Sequence, residues 1–213
     1  QNQVWVGMSK ETAHQLGTPL SSLMGWLALL QSRGVDPEAI QEMERDVERL
    51  QTVADRFSKI GSEPVLKVTD LNALVEDVAR YMQVRTRSSI VIKFDGPGHE
   101  LPVKLNRPLF EWVLENLIRN SIDAIKSEGL IHLSTQKHGR KVCLDVFDSG
   151  SGIPRKRWKS IFRPGYTTKK RGWGLGLSLT RRIVESYHNG KIAVRQSEPG
   201  KGTTIRIVID EAS

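Results

Sequence analysis

Apolar residues recur at alternating spacings of three and four over the first part of the chain, a pattern that predicts packed helices. One series runs through Ala13, Leu16, Leu20, Leu23, Leu27 and Leu30, and another through Ile40, Met43, Val47, Leu50, Ala54 and Phe57. Between the series, Gly34 predicts a helix end, and Asp36 and Pro37 predict the start of the next helix. A single hairpin covers little of its own apolar surface, so we expect residues 1–62 to dimerise into a four-helix bundle.

From residue 63 to residue 213 the pattern changes to short strands alternating with helices. Apolar runs such as "PVLKV", "SIVIKF", "KVCLDVF" and "TTIRIVI" predict strands. Asp70 caps a predicted helix, and Pro108 begins a long amphipathic helix that is expected to close at Gly129. A last helix follows the glycine-rich loop that spans about Asp148 to Trp173. Three helices over a mixed sheet predict a two-layer α/β sandwich, so the fold class expected for the whole chain is α+β.

Positive charge is concentrated in that loop and in the helix after it. The chain carries 32 Lys and Arg against 24 Asp and Glu, a net charge of +8, yet no carboxylate lies between Asp148 and Glu185. The cations in this interval are Arg155, Lys156, Arg157, Lys159, Arg163, Lys169, Lys170, Arg171, Arg181 and Arg182. A basic excess confined to one glycine-punctuated segment favours a compact polyanion such as a nucleoside triphosphate. Nucleic acid is the less favoured ligand, because aromatic residues for base stacking are few.

Cysteine content and hydropathy restrict the class of protein further. The single cysteine, Cys143, excludes an internal disulfide and fits a reducing compartment. No apolar run approaches the roughly 18–20 residues that span a bilayer. The opening residues "QNQVWVGMSK" lack the basic start and apolar core of a signal peptide. Because the chain does not begin with Met, we expect it to be part of a longer protein.

Two asparagines lie four residues apart on the long predicted helix, within "ENLIRNSIDA". Asn116 and Asn120 therefore share a face, together with Asp123. Neutral amide oxygens suit a divalent cation whose other ligands are phosphates and water. Asparagines are also common on the wet face of an ordinary amphipathic helix, so both interpretations stay open for this helix alone.

An acidic residue followed by glycines comes directly after a predicted strand, in "DSGSGIP". The Asp148 carboxylate can accept a hydrogen bond from a purine amino group. Gly150 and Gly152 would let the backbone pass close beside a flat base. A plain glycine-rich turn after a strand would give the same pattern.

Two further glycine motifs follow along the chain. In "GWGLGLSL", Gly172, Gly174 and Gly176 lead into a helix, whose free backbone amides could hold phosphate. In "GKGTTI", Gly200, Gly202 and Thr203 are predicted to form a tight turn into the closing strand. Each motif alone is weak evidence for a nucleotide site.

The order and spacing of these segments are more specific than any one segment. The asparagine helix is followed by "DSGSGIP", "IFRPGYTTK", "GWGLGLSL" and "GKGTTI". This series resembles the ATP-binding domain of the histidine-kinase superfamily, which is shared with gyrase, the ninety-kilodalton heat-shock chaperones and the mismatch-repair ATPases. Upstream, "HQLGTPLSS" resembles the phosphoacceptor box of sensor histidine kinases. The resemblance covers essentially the whole chain.

The resemblance implies ATP and Mg²⁺ as cofactors and assigns roles to individual residues. Asn120 is expected to bind Mg²⁺, Asn116 to support the metal or the phosphates, and Asp148 to hold the adenine amino group. The other expected nucleotide contacts are Asp123, Gly150, Gly152, Lys169, Gly172, Gly174, Leu175, Gly176 and Thr203. The loop from Ile153 to Trp173 is expected to be a lid over the nucleotide, with Phe162 as its packing anchor.

The resemblance likewise implies that His14 attacks the γ-phosphate of ATP and then passes the phosphoryl group to an aspartate of a response regulator. Many family members carry an acidic residue after this histidine, but Gln15 can only orient the imidazole and cannot take its proton. Thr18 matches the position that in relatives positions water for dephosphorylating the regulator. By the same resemblance, we expect the chain to be the cytoplasmic portion of a membrane-anchored bacterial protein.

Two other functions are compatible with parts of the sequence. A clamp-type ATPase of the same superfamily would use a glutamate of the asparagine helix, such as Glu111 or Glu115, to activate water, but it leaves His14 without a purpose. A degenerate kinase that only scaffolds a regulator is supported by Gln15 alone, and the intact glycines and asparagines oppose it.

Overall fold

The computed structural model describes residues 19–44, 47, 64–167 and 174–212. The chain divides into two compact units, Gln1–Pro64 and Val65–Ser213.

The described part of the first unit contains helix α1 (19–32) and helix α2 (37–44). Gly34 lies between them with a φ of +71°, a left-handed conformation that glycine adopts without a steric penalty. The carboxylate of Asp36 accepts a hydrogen bond from the backbone N–H of Glu38 over 3.3 Å, so it caps the start of α2. The connection between the two helices is therefore the one that the sequence predicts.

Only part of each predicted apolar seam is covered inside this hairpin. The buried cluster consists of Leu20, Leu27, Ile40 and Val47, with Leu30 packed against it. These buried residues are seven apart on each helix, whereas the alternate seam residues Leu23 and Met43 remain 45% and 43% exposed. Among the described seam residues, Leu23 and Met43 thus face solvent in a single copy of the hairpin.

The second unit is an α/β domain. Its strands are β1 (Lys67–Asp70), β2 (Ile90–Asp95), β3 (Pro102–Leu105), β4 (Gly129–His138), β5 (Lys141–Asp148), β6 (Lys191–Glu198) and β7 (Gly202–Asp210). Its helices are α3 (Leu71–Val84), α4 (Arg107–Ala124) and α5 (Gly176–Arg182), and α5 continues into a π-helical turn at Ile183–Tyr187.

The strands form a five-stranded sheet in the order β2-β4-β5-β7-β6 and a separate pair, β1-β3. In the large sheet, β2 runs parallel to β4 and all other pairs are antiparallel. The mixed sheet of the predicted α/β fold is therefore confirmed, although β1 and β3 do not join it.

One continuous apolar core joins the helices to one face of the sheet. Alternate residues of the central strands are buried in it, namely Ile131, Leu133, Val142, Leu144, Val146, Ile205, Ile207 and Ile209. The covering face of α3 comprises Leu71, Leu74, Val75, Val78, Ala79 and Met82, at helical spacing. The period of two in the strands and near 3.6 in the helices explains why the sequence pattern located these elements.

Gly129 does not end a helix, contrary to the sequence prediction. α4 ends at Ala124, and Gly129 is the first residue of β4. A Cβ at Gly129 would lie 2.6 Å from Ser149 Oγ, so this glycine permits close packing of the strand start against the β5 end. Similarly, β1 begins at Lys67 and not at Pro64.

Candidate functional site

α4 carries the asparagine pair at the border of its buried face. Asn116 and Asn120 are half-buried, and Asp123 is exposed near the end of the helix. The buried residues that orient the helix are Leu109, Phe110, Val113, Leu114, Leu117, Ile118 and Ser121. Partly covered carboxamides on a fixed helix can present their oxygens to a ligand, which is the requirement for binding a hard cation.

The start of α4 is attached to the end of the π-helical turn after α5 by a buried histidine. The backbone N–H of Asn106, the cap residue of α4, donates to Nε2 of His188 over 3.0 Å. Nδ1 of His188 lies 2.8 Å from the carbonyl of Ile183, which can only accept, so Nδ1 carries the proton. Burial lowers the pKa of His188 below its ordinary value, although the bond to Ile183 opposes this, and the imidazole is therefore neutral.

A second link between the same helices lies at Asn116. Its Nδ2 donates to Oγ1 of Thr180 over 2.8 Å, and Thr180 is fully buried on α5. A Cβ at Gly176 would lie only 2.7 Å from Asn116 Oδ1. The sequence predicts a phosphate contact for Gly176, and the structure adds that this glycine leaves room for the Asn116 carboxamide.

Asp148 ends β5 with its carboxylate buried, and in the part of the chain that the structure describes none of its hydrogen bonds comes from a cationic side chain. The side chain is 6% exposed. Oδ1 accepts the backbone N–H of Gly150 over 2.9 Å, and Oδ2 accepts the hydroxyl of Ser121 over 3.3 Å. Burial raises the pKa of Asp148 to about 6, and the bonds from Gly150 and Ser121 oppose this rise only in part. The carboxylate is therefore an acceptor that a ligand N–H group would stabilise.

Glycines surround Asp148 because backbone and side chains approach very closely there. A Cβ at Gly150 would lie 2.7 Å from both Ala124 Cβ and Asp148 Oδ1. Gly152, with a φ of +70°, lies against the carbonyl of Glu198, and Gly202, with a φ of +105°, lies against the carbonyl of Asp148. Gly152, predicted to make room for a base, thus also permits close approach to the end of β6, and Gly202, predicted as part of a turn, permits close approach of β7 to the end of β5.

Thr203 lies directly opposite Asp148 in the pairing of β7 with β5. It is buried, and its Oγ1 is 2.8 Å from Oγ of Ser197 on β6. Ser197 also accepts the backbone N–H of Ile153 over 2.7 Å. These hydroxyls connect Thr203 to the first residue of the predicted lid.

The described part of the predicted lid is anchored in the core. Ile161 and Phe162 are each 6% exposed, and the Trp158 indole N–H donates to the carbonyl of Ile153 over 2.9 Å. The packing role predicted for Phe162 is therefore confirmed. Farther along, the backbone N–H of Gly165 donates to the carbonyl of Gly174 over 3.0 Å, and Leu175 precedes α5.

Five of the predicted site residues lie outside the described residues. These are His14, Gln15 and Thr18 before α1, and Lys169 and Gly172 before α5. The described parts of the chain contain no group of three or more His, Cys, Asp or Glu that could hold a metal ion. Asn116 and Asn120 offer neutral amide oxygens, a type of ligand that suits Mg²⁺ carrying phosphate and water.

Four polar residues of this region were missed from the sequence. Ser121, Thr180, His188 and Ser197 are buried or half-buried and hydrogen-bonded. Ser121 and Thr180 occupy core-facing positions of amphipathic helices. A polar residue is unusual at such a position, so the sequence pattern could have indicated a functional role for both. His188 and Ser197 have no such local signal, because the partners that tie them to this region, Asn106 and Ile153, are distant in sequence.

Comparison with known proteins identifies the domain. The model of the family described as histidine kinase-, DNA gyrase B-, and HSP90-like ATPase matches residues 106–213, slightly more than half of the 213-residue chain. The match begins at the cap of α4 and includes Asp148 and the later glycines. The chain belongs to this family of ATPases. None of the helices within the described ranges is long and apolar enough to cross a membrane.

Individual relatives agree with this assignment. The chain is 31% identical over 208 residues to the signal transduction histidine-protein kinase AtoS of Escherichia coli strain K12, which covers 92% of this chain and 33% of AtoS. It spans less than half the length of the curated relatives compared.

Solved structures agree as well. The catalytic domain of the histidine kinase ThkA, in a nucleotide-free form, superposes with a TM-score of 0.62 at 32% identity, covering 68% of this chain and 95% of that one. Histidine kinase ThkA in complex with the response regulator protein TrrA gives a TM-score of 0.64 at 28% identity, covering 97% of this chain and 61% of that one.

Proposed function

We propose that this protein is an ATP-dependent histidine kinase that phosphorylates its own His14 and transfers the phosphoryl group to an aspartate of a response regulator. The observation that carries the proposal is the buried Asp148 carboxylate, which lies beside α4 and, within the described residues, accepts hydrogen bonds from Gly150 and Ser121. It belongs to a chain of the histidine-kinase-like ATPase family. The similarity to AtoS and ThkA supports the kinase over the clamp-type ATPase.

The proposed nucleotide contacts use complementary chemistry at each end of the ligand. Asp148 accepts a hydrogen bond from the amino group of adenine, which adds a further N–H donor to the desolvated carboxylate. Asn120 would hold Mg²⁺ through its amide oxygen, and Asn116 would support the metal or the phosphates. The proposed set also includes Asp123, Gly150, Gly152, Thr203, and the residues around the start of α5, Lys169, Gly172, Gly174, Leu175 and Gly176.

In the proposed reaction, a ring nitrogen of His14 forms a bond to the γ-phosphorus while the bond to the bridging oxygen of ADP breaks. Phosphoryl transfer requires mainly alignment and charge neutralisation, and bound Mg²⁺ would supply part of that neutralisation. Gln15 orients the imidazole, whose proton passes to solvent or another group. Thr18 is proposed to position water for a second activity, the dephosphorylation of the regulator.

We also propose that the hairpin dimerises and that the response regulator docks near His14. The exposed seam residues Leu23 and Met43 support a partner helix pair on that face. The ThkA–TrrA complex supports a response regulator as partner. The proposed setting is the cytoplasmic side of a membrane-anchored bacterial protein, in line with similarity to longer kinases such as AtoS.

The decisive experiment measures phosphohistidine directly. Incubation with γ-labelled ATP and Mg²⁺ is expected to give a protein label that is stable in base and lost in acid. His14→Ala should abolish the label, whereas His138→Ala, at the exposed end of β4, should retain it. An unlabelled wild-type protein, or a label that persists in His14→Ala, would refute the proposed kinase function.

A further inference from the structure

Thr180 places a hydroxyl at a position of α5 where an apolar residue would be expected. Its side chain is fully buried, and it lies on the face of α5 that contacts α4. None of the proposed phosphoryl-transfer steps uses it. The Thr180 hydroxyl accepts a hydrogen bond from Asn116, 64 residues earlier in the chain, so the bond joins two helices and not two turns of one helix.

This bond selects one orientation of the Asn116 carboxamide. The amide has a donor end and an acceptor end, and a rotation by half a turn exchanges them. Nδ2 is directed at Thr180 Oγ1 over 2.8 Å, so Oδ1 is directed toward Gly176 at the start of α5. A Cβ at Gly176 would lie 2.7 Å from that oxygen, so a residue with a side chain at this position would crowd the oxygen and glycine does not.

The two helices are also joined independently of Thr180. The N–H of Asn106 at the start of α4 donates to His188 just after the π-helical turn that follows α5, over 3.0 Å. His188 packs edge-on against Phe110 of α4, with ring centroids 5.5 Å apart. Loss of the Thr180 hydroxyl should therefore free the Asn116 amide to rotate while the helix pair stays in place.

We propose that Thr180 is a positioning residue for the metal-bound nucleotide, because it holds the Asn116 amide with its oxygen, and not its NH₂ group, available to the cation–phosphate cluster. This inference rests on the proposed ATP binding. An amide that rotates freely presents its NH₂ donors to Mg²⁺ part of the time, and that orientation is repulsive. The role concerns metal-bound ATP and predicts little effect on the nucleotide without metal.

The test compares ATP affinity with Mg²⁺ and with a chelator, by calorimetry on the full chain. Thr180→Val keeps the shape of the side chain and removes the hydroxyl, so it should weaken Mg²⁺-ATP binding roughly tenfold and metal-free ATP binding by less than about twofold. Thr180→Ser keeps the hydroxyl and should retain the wild-type ratio. Ser178→Ala removes a hydroxyl of the same helix that donates to the carbonyl of Leu175, and it should also retain the wild-type ratio.

Gly176→Ala provides a second variant, in case Thr180→Val does not fold. Its added methyl group would displace Asn116 Oδ1 and should reduce the same Mg²⁺-dependent gain in affinity. The inference is wrong if Thr180→Val, or Gly176→Ala in its place, keeps the wild-type gain, or loses affinity equally with and without Mg²⁺. A wild-type protein that does not bind ATP would overturn the proposed function and this inference together.

Discussion

At the scale of single residues, Asp148 holds a negative charge in a place that disfavours it. A pKa raised from 3.8 to about 6 corresponds to about 3 kcal/mol of unfavourable free energy in the ionised form. The sign follows from proton binding: the folded state holds the proton more tightly than the unfolded state. The contribution of Asp148 protonation to the free energy of unfolding is therefore complete below pH 3.8. It is lost as the pH rises through about 6.

The variant Asp148→Asn tests whether the buried charge of Asp148 lowers the free energy of unfolding. Asparagine keeps the acceptor for the Gly150 N–H but carries no charge, so the free energy of unfolding at pH 8 should rise by about 1–3 kcal/mol. The gain should shrink as the pH falls below about 6, while adenine nucleotide binding is lost at every pH.

Denaturant unfolding of both proteins between pH 4 and pH 8 gives the difference, in which other titrating groups cancel. A gain that does not vary with pH would contradict the burial of the Asp148 charge. Retained ATP binding by Asp148→Asn would contradict its role as the acceptor for adenine.

At the scale of elements, the ends of three strands meet through glycines. The hairpin between β6 and β7 contains two glycines with positive φ, Gly200 at +81° and Gly202 at +105°. A Cβ at Gly200 would meet no atom within 4 Å, whereas one at Gly202 would collide with the carbonyl of Asp148. Substituting Gly200 therefore tests backbone strain alone, whereas substituting Gly202 tests backbone strain together with the contact to Asp148.

Gly200→Ala should cost about 1 kcal/mol of stability, because only the left-handed backbone conformation is strained. Gly202→Ala adds the collision, so it should cost more than about 2 kcal/mol and should also weaken ATP binding, since Asp148 is displaced. Denaturant unfolding and nucleotide titration of the two variants provide the measurement. Equal effects of the two substitutions would show that the contact with Asp148 does not matter.

Sequence patterns predicted the positions of these elements more accurately than the structural roles of the glycines in them. Gly34 follows α1 as the sequence predicts, because ending a helix depends only on local backbone conformation. The sequence prediction for Gly129 is wrong, because the role of this glycine depends on Ser149, which folding brings next to it. The sequence does not predict the π-helical turn at Ile183–Tyr187, since its residues fit an ordinary helix.

At the scale of the whole molecule, the hairpin of a single chain leaves apolar seam residues exposed. We expect Leu23→Glu combined with Met43→Glu to convert a dimer into a monomer, because both residues would lie against the second copy. ATP affinity should be unchanged, since Val65–Ser213 is a separate compact unit. Sedimentation equilibrium measures the mass of the particle.

Val84→Glu is the matched control for this change. Val84 is 79% exposed at the end of α3, so a charge there should leave the dimer intact. A double variant that still sediments as a dimer, or a wild-type protein that sediments as a monomer, would contradict the four-helix bundle.

The sequence by itself determined the order of the elements and the family. Heptad spacing, strand alternation and the series from Asn116 to Thr203 are local patterns, and each is readable without knowing what lies beside it in space. The family match over residues 106–213 agrees with that series.

Only the tertiary structure decided how the site is held together. The Ser121–Asp148 contact joins residues 27 apart, and the Asn116–Thr180 bond joins residues 64 apart. The raised pKa of Asp148 likewise depends on which atoms exclude water from its carboxylate. Such effects arise from neighbours that the chain acquires on folding, so no pattern of nearby residues encodes them in readable form.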